Sequence, residues 1–255
     1  MLNNVLEDIL ATNCVKDSVG NTYKLKDSID PVEGKFINKQ ILNIKAHKSI
    51  EIGCAYGISS LFICRALSQM GDEAKHYIID PNQSKEWKSI GINNLAISGY
   101  NFYRLFEEKS EIVLPKLLAN DEVFDFAFID GWHTFDHALI DFFYLNRMIK
   151  INGVIVFDDC GMPALNRLIR YISNYPCYRV IDLVKVSNYT ISRKTLNLFK
   201  AGLGFSLSML PKKIMHEIFD DSVMRIDKKL MLNSSMVAIE KISNDERPWY
   251  WYKHF

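Results

Sequence analysis

Long apolar runs are missing from this chain. Nothing in its 255 residues approaches the roughly 18–20 consecutive apolar positions of a membrane-crossing helix. An excess of one charge is missing too. Lys and Arg number 31 against 30 Asp and Glu, a net charge of +1, so no global field draws the chain to nucleic acid or an anionic membrane. Cysteine is scarce: Cys14, Cys54, Cys64, Cys160 and Cys177 are an odd set without a CxxC pair. That pattern argues against a disulfide framework or a structural zinc site, and fits reduced thiols buried as small hydrophobes. Thiols kept reduced lead to an expected cytoplasmic location, and the opening MLNNVLEDIL is acidic and lacks the signal-peptide order of basic, apolar and small residues. There is no GxGxxG loop, which counts against a dinucleotide fold. Repeats and low-complexity linkers are absent as well.

What is present is a rhythm. The hydrophobic fraction of 48% and charged fraction of 24% are those of a globular domain. Leu2, Val5, Leu6, Ile9 and Leu10 are spaced as a helix. Residues 15–35 are polar and turn-rich, with Gly20, Pro31 and Gly34, and read as loop. Strands are then expected at 49–52, 76–80, 101–105, 124–130, 153–158 and 178–183. Helices are expected between them at 57–70, 83–97, 108–118, 134–149 and 162–173. A last strand is expected at 235–239. Strands alternating with helices imply right-handed βαβ units, hence an α/β fold with a doubly wound, mostly parallel sheet covered on both faces.

Ligands of such sheets bind beyond the carboxyl ends of the strands. The first strand ends in Glu51-Ile52-Gly53-Cys54-Ala55-Tyr56-Gly57-Ile58-Ser59-Ser60. Its two glycines permit a tight turn and close approach of a ligand, and a helix N-terminus follows. The second ends in Asp80, whose two carboxylate oxygens can accept both hydroxyls of a ribose. The fourth ends in Asp130-Gly131-Trp132-His133 and the fifth in Asp158-Asp159. If those strands are neighbours, three carboxylates converge, and such a set suits Mg²⁺ or another divalent cation. His133 has the ordinary basicity of a general base; His137 lies one helical turn on. Each residue also has a plain structural use, as a helix cap, a solvated acid or a packed histidine.

At these residues the chain resembles the class I S-adenosylmethionine-dependent methyltransferases, and within them the O-methyltransferase branch that includes catechol and macrocin-type sugar O-methyltransferases. EIGCAYGISS resembles the loop under the cofactor's methionine, IID at 78–80 the ribose-holding strand end, FIDGWH at 128–133 the fourth-strand motif, and INGVIVFDD at 151–159 the fifth. The resemblance implies a Rossmann-like seven-stranded sheet of order 3-2-1-4-5-7-6 with the last strand antiparallel. It implies cofactor contacts at Glu51, Gly53, Ala55, Gly57, Ser59, Ser60, Asp80, Ser110 and Asp130. It further implies a metal at Asp130, Asp158 and Asp159, and catalysis by Asp130 with His133 as base. Val32-Glu33-Gly34 would line the cofactor. The chain departs from catechol O-methyltransferase in having His133 for Lys and Asp159 for Asn, and from the usual glycine near the adenine in having Glu108.

The reaction implied is metal-assisted methyl transfer from S-adenosylmethionine to a hydroxyl of a small molecule or glycan. The alternatives are a metal-independent methyltransferase and a non-catalytic cofactor-binding or scaffold protein. Nucleic-acid methylation is disfavoured, since no NPPY-like motif follows the fourth strand. One domain over 1–255 is expected: an extension at 1–45, a catalytic core at 46–183 and 235–245, and a helical insertion at 184–234. That insertion, bent at Gly202, Gly204 and Pro211, would form a lid or a dimer surface. The tail RPWYWYKHF offers another surface for a homo-oligomer.

Overall fold

The computed structural model describes residues 5–71, 73–185 and 234–253. In chain order it comprises α1 (Val5–Thr12), β1 (Cys14–Lys16), β2 (Thr22–Lys24), α2 (Pro31–Ile44), β3 (Lys48–Ile52), α3 (Ile58–Leu67), β4 (Lys75–Ile79), α4 (Ile90–Ile97), β5 (Tyr103–Phe106) and α5 (Ser110–Ala119). There follow β6 (Phe124–Ile129), α6 (Phe135–Met148), β7 (Ile149–Phe157), α7 (Pro163–Ile172), β8 (Tyr178–Lys185) and β9 (Ser234–Lys241). Seven strands form one sheet of order β5-β4-β3-β6-β7-β9-β8. In the order of the expected strands this is 3-2-1-4-5-7-6. β5 to β7 run parallel, and β9 is antiparallel to both β7 and β8.

The sheet is buried on both faces because its strands are apolar on both. Along β6, Phe126 and Phe128 enter one core, which also holds Ile37 and Ile41 of α2 and Leu61 and Phe62 of α3. Ala127 and Ile129 point the opposite way, into a second core with Leu114 of α5, Phe142 and Leu145 of α6, and Leu168 of α7. Pleat alternation thus assigns each strand residue to one layer. Cys54, Cys64, Cys160 and Cys177 are buried free thiols, and Cys14 is half-buried.

Two expectations are corrected. Residues 15–35 are not one loop. Cys14–Lys16 and Thr22–Lys24 pair as an antiparallel hairpin, and α2 starts at Pro31. Asp30 caps α2, accepting from the Val32 and Glu33 amides, while Glu33 reaches back to the Asp30 amide at 2.8 Å. This reciprocal box together with Pro at the first helical position starts a helix where turn composition suggested none. The helix expected at 83–97 begins only at Ile90, because Lys88 and Ser89 take left-handed φ values of 52° and 57° that break the earlier turns.

The expected insertion at 184–234 lies outside the described residues, apart from Val184 and Lys185 in β8 and Ser234 in β9. The aromatic tail is anchored on α7 and the loop before β8. The Arg247 guanidinium lies 3.3 Å from the Tyr175 ring centroid and 4.5 Å from that of Trp251, while Asp245 holds its Nε at 2.6 Å.

Candidate active site

A cavity of about 850 Å³ opens at the carboxyl ends of β3, β4, β6 and β7. Its floor is the turn after β3. Gly53 has φ +89°, and a Cβ there would stand 2.1 Å from the Asp130 carbonyl oxygen, so only glycine lets this turn pass the end of β6. Asp80, 4% exposed, locks the turn from the side. Its Oδ2 accepts from the Cys54 amide (3.1 Å), the Ala55 amide (2.9 Å) and Gln83 Nε2 (2.9 Å), and its Oδ1 accepts from the Asn82 amide (2.9 Å). Asp80 was expected to offer both oxygens to a ribose. With Oδ2 saturated, Oδ1 is the oxygen with acceptor capacity to spare.

In the same cavity the ends of β6 and β7 bring Asp130, His133 and Asp159 together, with a ligand atom from each within 4.8 Å of the others. His133 bridges the two acids: Nε2 stands 3.2 Å from Asp130 Oδ1 and Nδ1 3.3 Å from Asp159 Oδ2. Asp159 adopts φ 50°, a backbone region that Asp tolerates better than most residues. Burial pushes the Asp130 carboxyl up to about 6 against the opposing pull of His133. The His133 imidazole is itself raised, foremost by its hydrogen bond to Asp130.

Asp158 was expected beside Asp130 and Asp159 as a third ligand. It lines the cavity at 7% exposure but stands outside this trio, with Oδ1 accepting from the Asp159 amide at 2.7 Å. Burial, then the charges of Asp130 and Glu33, push it well above the ordinary carboxylate range. Glu33 reaches the same cavity from α2, and burial raises its carboxyl too.

Of the expected cofactor residues, Gly53, Ala55, Ser59, Asp80, Ser110 and Asp130 line the cavity, and Glu51, Gly57 and Ser60 do not. Glu51 and Ser60 are buried behind the wall, where the Ser60 hydroxyl donates to Glu51. Glu108 turns to Lys116 at 2.8 Å. The wall also has members that strand-end reasoning passed over: Trp132, 69% exposed and 5.7 Å from the His137 ring, and Met162 and Trp87. FIDGWH already contained Trp132; Met162 and Trp87 lie outside every motif.

The fold is the Rossmann-like fold of the class I methyltransferases. Residues 50–160 match the family described as "Methyltransferase domain". The caffeoyl-CoA O-methyltransferase of Mesembryanthemum crystallinum is 29% identical over 157 residues, covering 56% of this chain and 58% of its own length. This chain thus spans little more than half of that relative. An O-methyltransferase from Bacillus cereus in complex with S-adenosylhomocysteine superposes at a TM-score of 0.59 with 18% identity, covering 72% of this chain and 84% of its own. A Streptomyces achromogenes O-methyltransferase involved in tomaymycin synthesis, in complex with S-adenosylmethionine, superposes at 0.60 with 12% identity, covering 94% and 91%. At those identities the structural likeness speaks for the fold. No helix among the described residues is long and apolar enough to cross a membrane.

Proposed function

We propose that the protein is an S-adenosylmethionine-dependent O-methyltransferase that acts on a hydroxyl of a small molecule, assisted by a divalent cation. The Asp130–His133–Asp159 trio, lining the same cavity as the Gly53 turn and Asp80, carries this reading. Two carboxylates and an imidazole are a donor set that fits a divalent cation. Asp130 and Asp159 would hold it, with His133 or Asp158 beside them. A cation there would lower the pKa of an acceptor hydroxyl and orient it. The cofactor supplies a methyl already activated on a sulfonium sulfur.

The chain's own residues do the rest. The Gly53 turn and Asp80 Oδ1 place the nucleoside end, and Ser59 and Ser110 add polar contacts. His133 would take the acceptor proton as general base, with its ring oriented by Asp159 through Nδ1. Trp132 and Met162 form an apolar rim that suits the body of a small acceptor.

One observation favours a second reading on the same fold. Both His133 nitrogens already face carboxylates, so a protonated His133 satisfies the trio without a metal. Methyl transfer to a panel of diols and phenols, after chelation and after Mg²⁺ is restored, separates the two. The first reading expects activity to vanish and return. Undiminished turnover in chelator selects the second. Replacing His133 by Ala is expected to lower kcat about 10²-fold or more, while S-adenosylhomocysteine affinity stays within about twofold of wild type.

A further inference from the structure

Where α5 and α6 back the cavity, an acid lies behind its wall. Asp141 of α6 is 1% exposed, and its Oδ1 has no hydrogen-bond partner. Its side-chain partner is Ser110, the first residue of α5, which lines the cavity. Gly131 lines the same cavity, and a Cβ there would stand 3.8 Å from Asp141 Oδ2. A serine and a glycine are thus what separates this carboxyl from a ligand. A buried carboxyl with one oxygen unsatisfied costs stability, which points to a use for its hold on Ser110.

The order of the strands says what Ser110 would meet. Across the sheet the strand ends carry Asp158 and Asp159 after β7, Asp130 after β6, Gly53 after β3, Asp80 after β4 and, past β5, Ser110. With the reacting sulfur near the trio and the ribose at Asp80, the base extends toward β5, and Ser110 is a polar side chain at its edge. A serine hydroxyl has a single proton to give. Above the value of about 6 to which burial raises Asp141, the carboxylate only accepts, so the Ser110 proton goes to it. Toward the cavity Ser110 Oγ is left with lone pairs alone. Such an oxygen accepts from an amine and repels a carbonyl.

We propose that Asp141 is a positioning residue for base recognition: by taking the Ser110 proton it makes Ser110 an acceptor toward the cavity, and so selects a base with an exocyclic amine over one with an oxo group in its place. The inference rests on the cofactor reading above. Selection comes from the mismatch, because an oxo group would leave two acceptors facing each other with no proton between them.

The test compares S-adenosylhomocysteine with S-inosylhomocysteine, which carries an oxo group where adenine has its amine. Binding to the full chain is measured by calorimetry at about pH 8, where Asp141 is ionised. Wild type is expected to bind the first about tenfold or more tighter. In Asp141→Asn the amide can donate to Ser110 Oγ, which frees the hydroxyl proton to turn to the cavity. The preference should fall to about threefold or less, chiefly because S-inosylhomocysteine tightens. Ser110→Ala should lose the preference as well, and Asp141→Asn should add nothing in that background. A merely structural Asp141 would weaken both ligands alike. An unchanged ratio in Asp141→Asn therefore overturns the proposal, as does a wild type without preference. If Asp141→Asn fails to fold, Ser110→Ala decides: a preference that survives the loss of the hydroxyl overturns the proposal there too. Wild-type protein that binds neither ligand would sink the cofactor reading itself, a result distinct from these.

Discussion

Asp141 carries a cost that shows in the pH dependence of stability. It sits on α6 at 1% exposure, its Oδ1 has no partner, and the Ser110 side chain is its hydrogen-bonding neighbour. Burial raises its carboxyl from 3.8 to about 6. A carboxyl raised on folding stabilises the fold while protonated, fully so below its unfolded value, and that contribution is lost as pH rises through the folded value. Urea unfolding from about pH 4 to pH 7 should therefore show wild type losing roughly 2–3 kcal/mol relative to Asp141→Asn. Parallel curves for the two proteins would refute this account. Gly53→Ala tests the floor of the site. Its Cβ would meet the Asp130 carbonyl at 2.1 Å in a backbone at φ +89°. Loss of S-adenosylhomocysteine binding and destabilisation by about 3 kcal/mol or more are expected; wild-type binding would show that the turn can move aside. Strand-end residues such as Gly53, Asp80 and Asp130 were legible because topology alone sends them to the cavity. The buried contact of Ser49 Oγ with His76 Nδ1, 2.8 Å long, was not. The two residues are direct partners in the β3–β4 register, and register is set by pairing that one strand's residues do not disclose.

At the scale of elements, α2 is the helix that composition hid. Pro31 and Gly34 made the segment read as turn. Yet Asp30-Pro31-Val32-Glu33 spells the capping box that starts it, so the signal was in the residues and was outweighed by their turn propensity. Gly34 is there for packing: a Cβ would lie 2.1 Å from the Phe62 ring of α3. Both residues are buried, and their contact brings α2, with Glu33, against the cavity. Gly34→Ala should destabilise by about 1–3 kcal/mol through overpacking. Phe62→Leu, which costs stability alone, should recover part of that loss in the double variant. Strict additivity in a double-mutant cycle would show that the helices accommodate the methyl elsewhere. The β1–β2 hairpin escaped notice for another reason. Each strand is three residues long, too short to show alternation. Its loop is organised by Asp17, which accepts from the Val19 and Asn21 amides.

At the scale of the whole molecule, carboxyls from α2, β6 and β7 meet in one cavity, and their charges add. Glu33, Asp130 and Asp158 are all raised, each chiefly by burial. By the sign worked out for Asp141, their combined contribution falls as pH rises, with Asp130 titrating near 6. The order of the strands explains why they meet: β6 and β7 are neighbours. The resemblance anticipated that adjacency, whereas alternation of strands and helices alone left it open. A divalent cation in the trio would reverse the trend, since it replaces the proton that Asp130 and His133 compete for. Above pH 7, saturating Mg²⁺ or Mn²⁺ should raise the unfolding temperature by roughly 5–10 °C, from the linkage at about a hundredfold excess over Kd. The shift should shrink as pH falls below about 6, when Asp130 holds its proton, and should vanish in Asp130→Asn. Thermal unfolding against pH, with and without the cation, reads all three. A protein whose melting ignores the cation above pH 7 has no such site, and the acids of the cavity would then serve the cofactor and the acceptor directly.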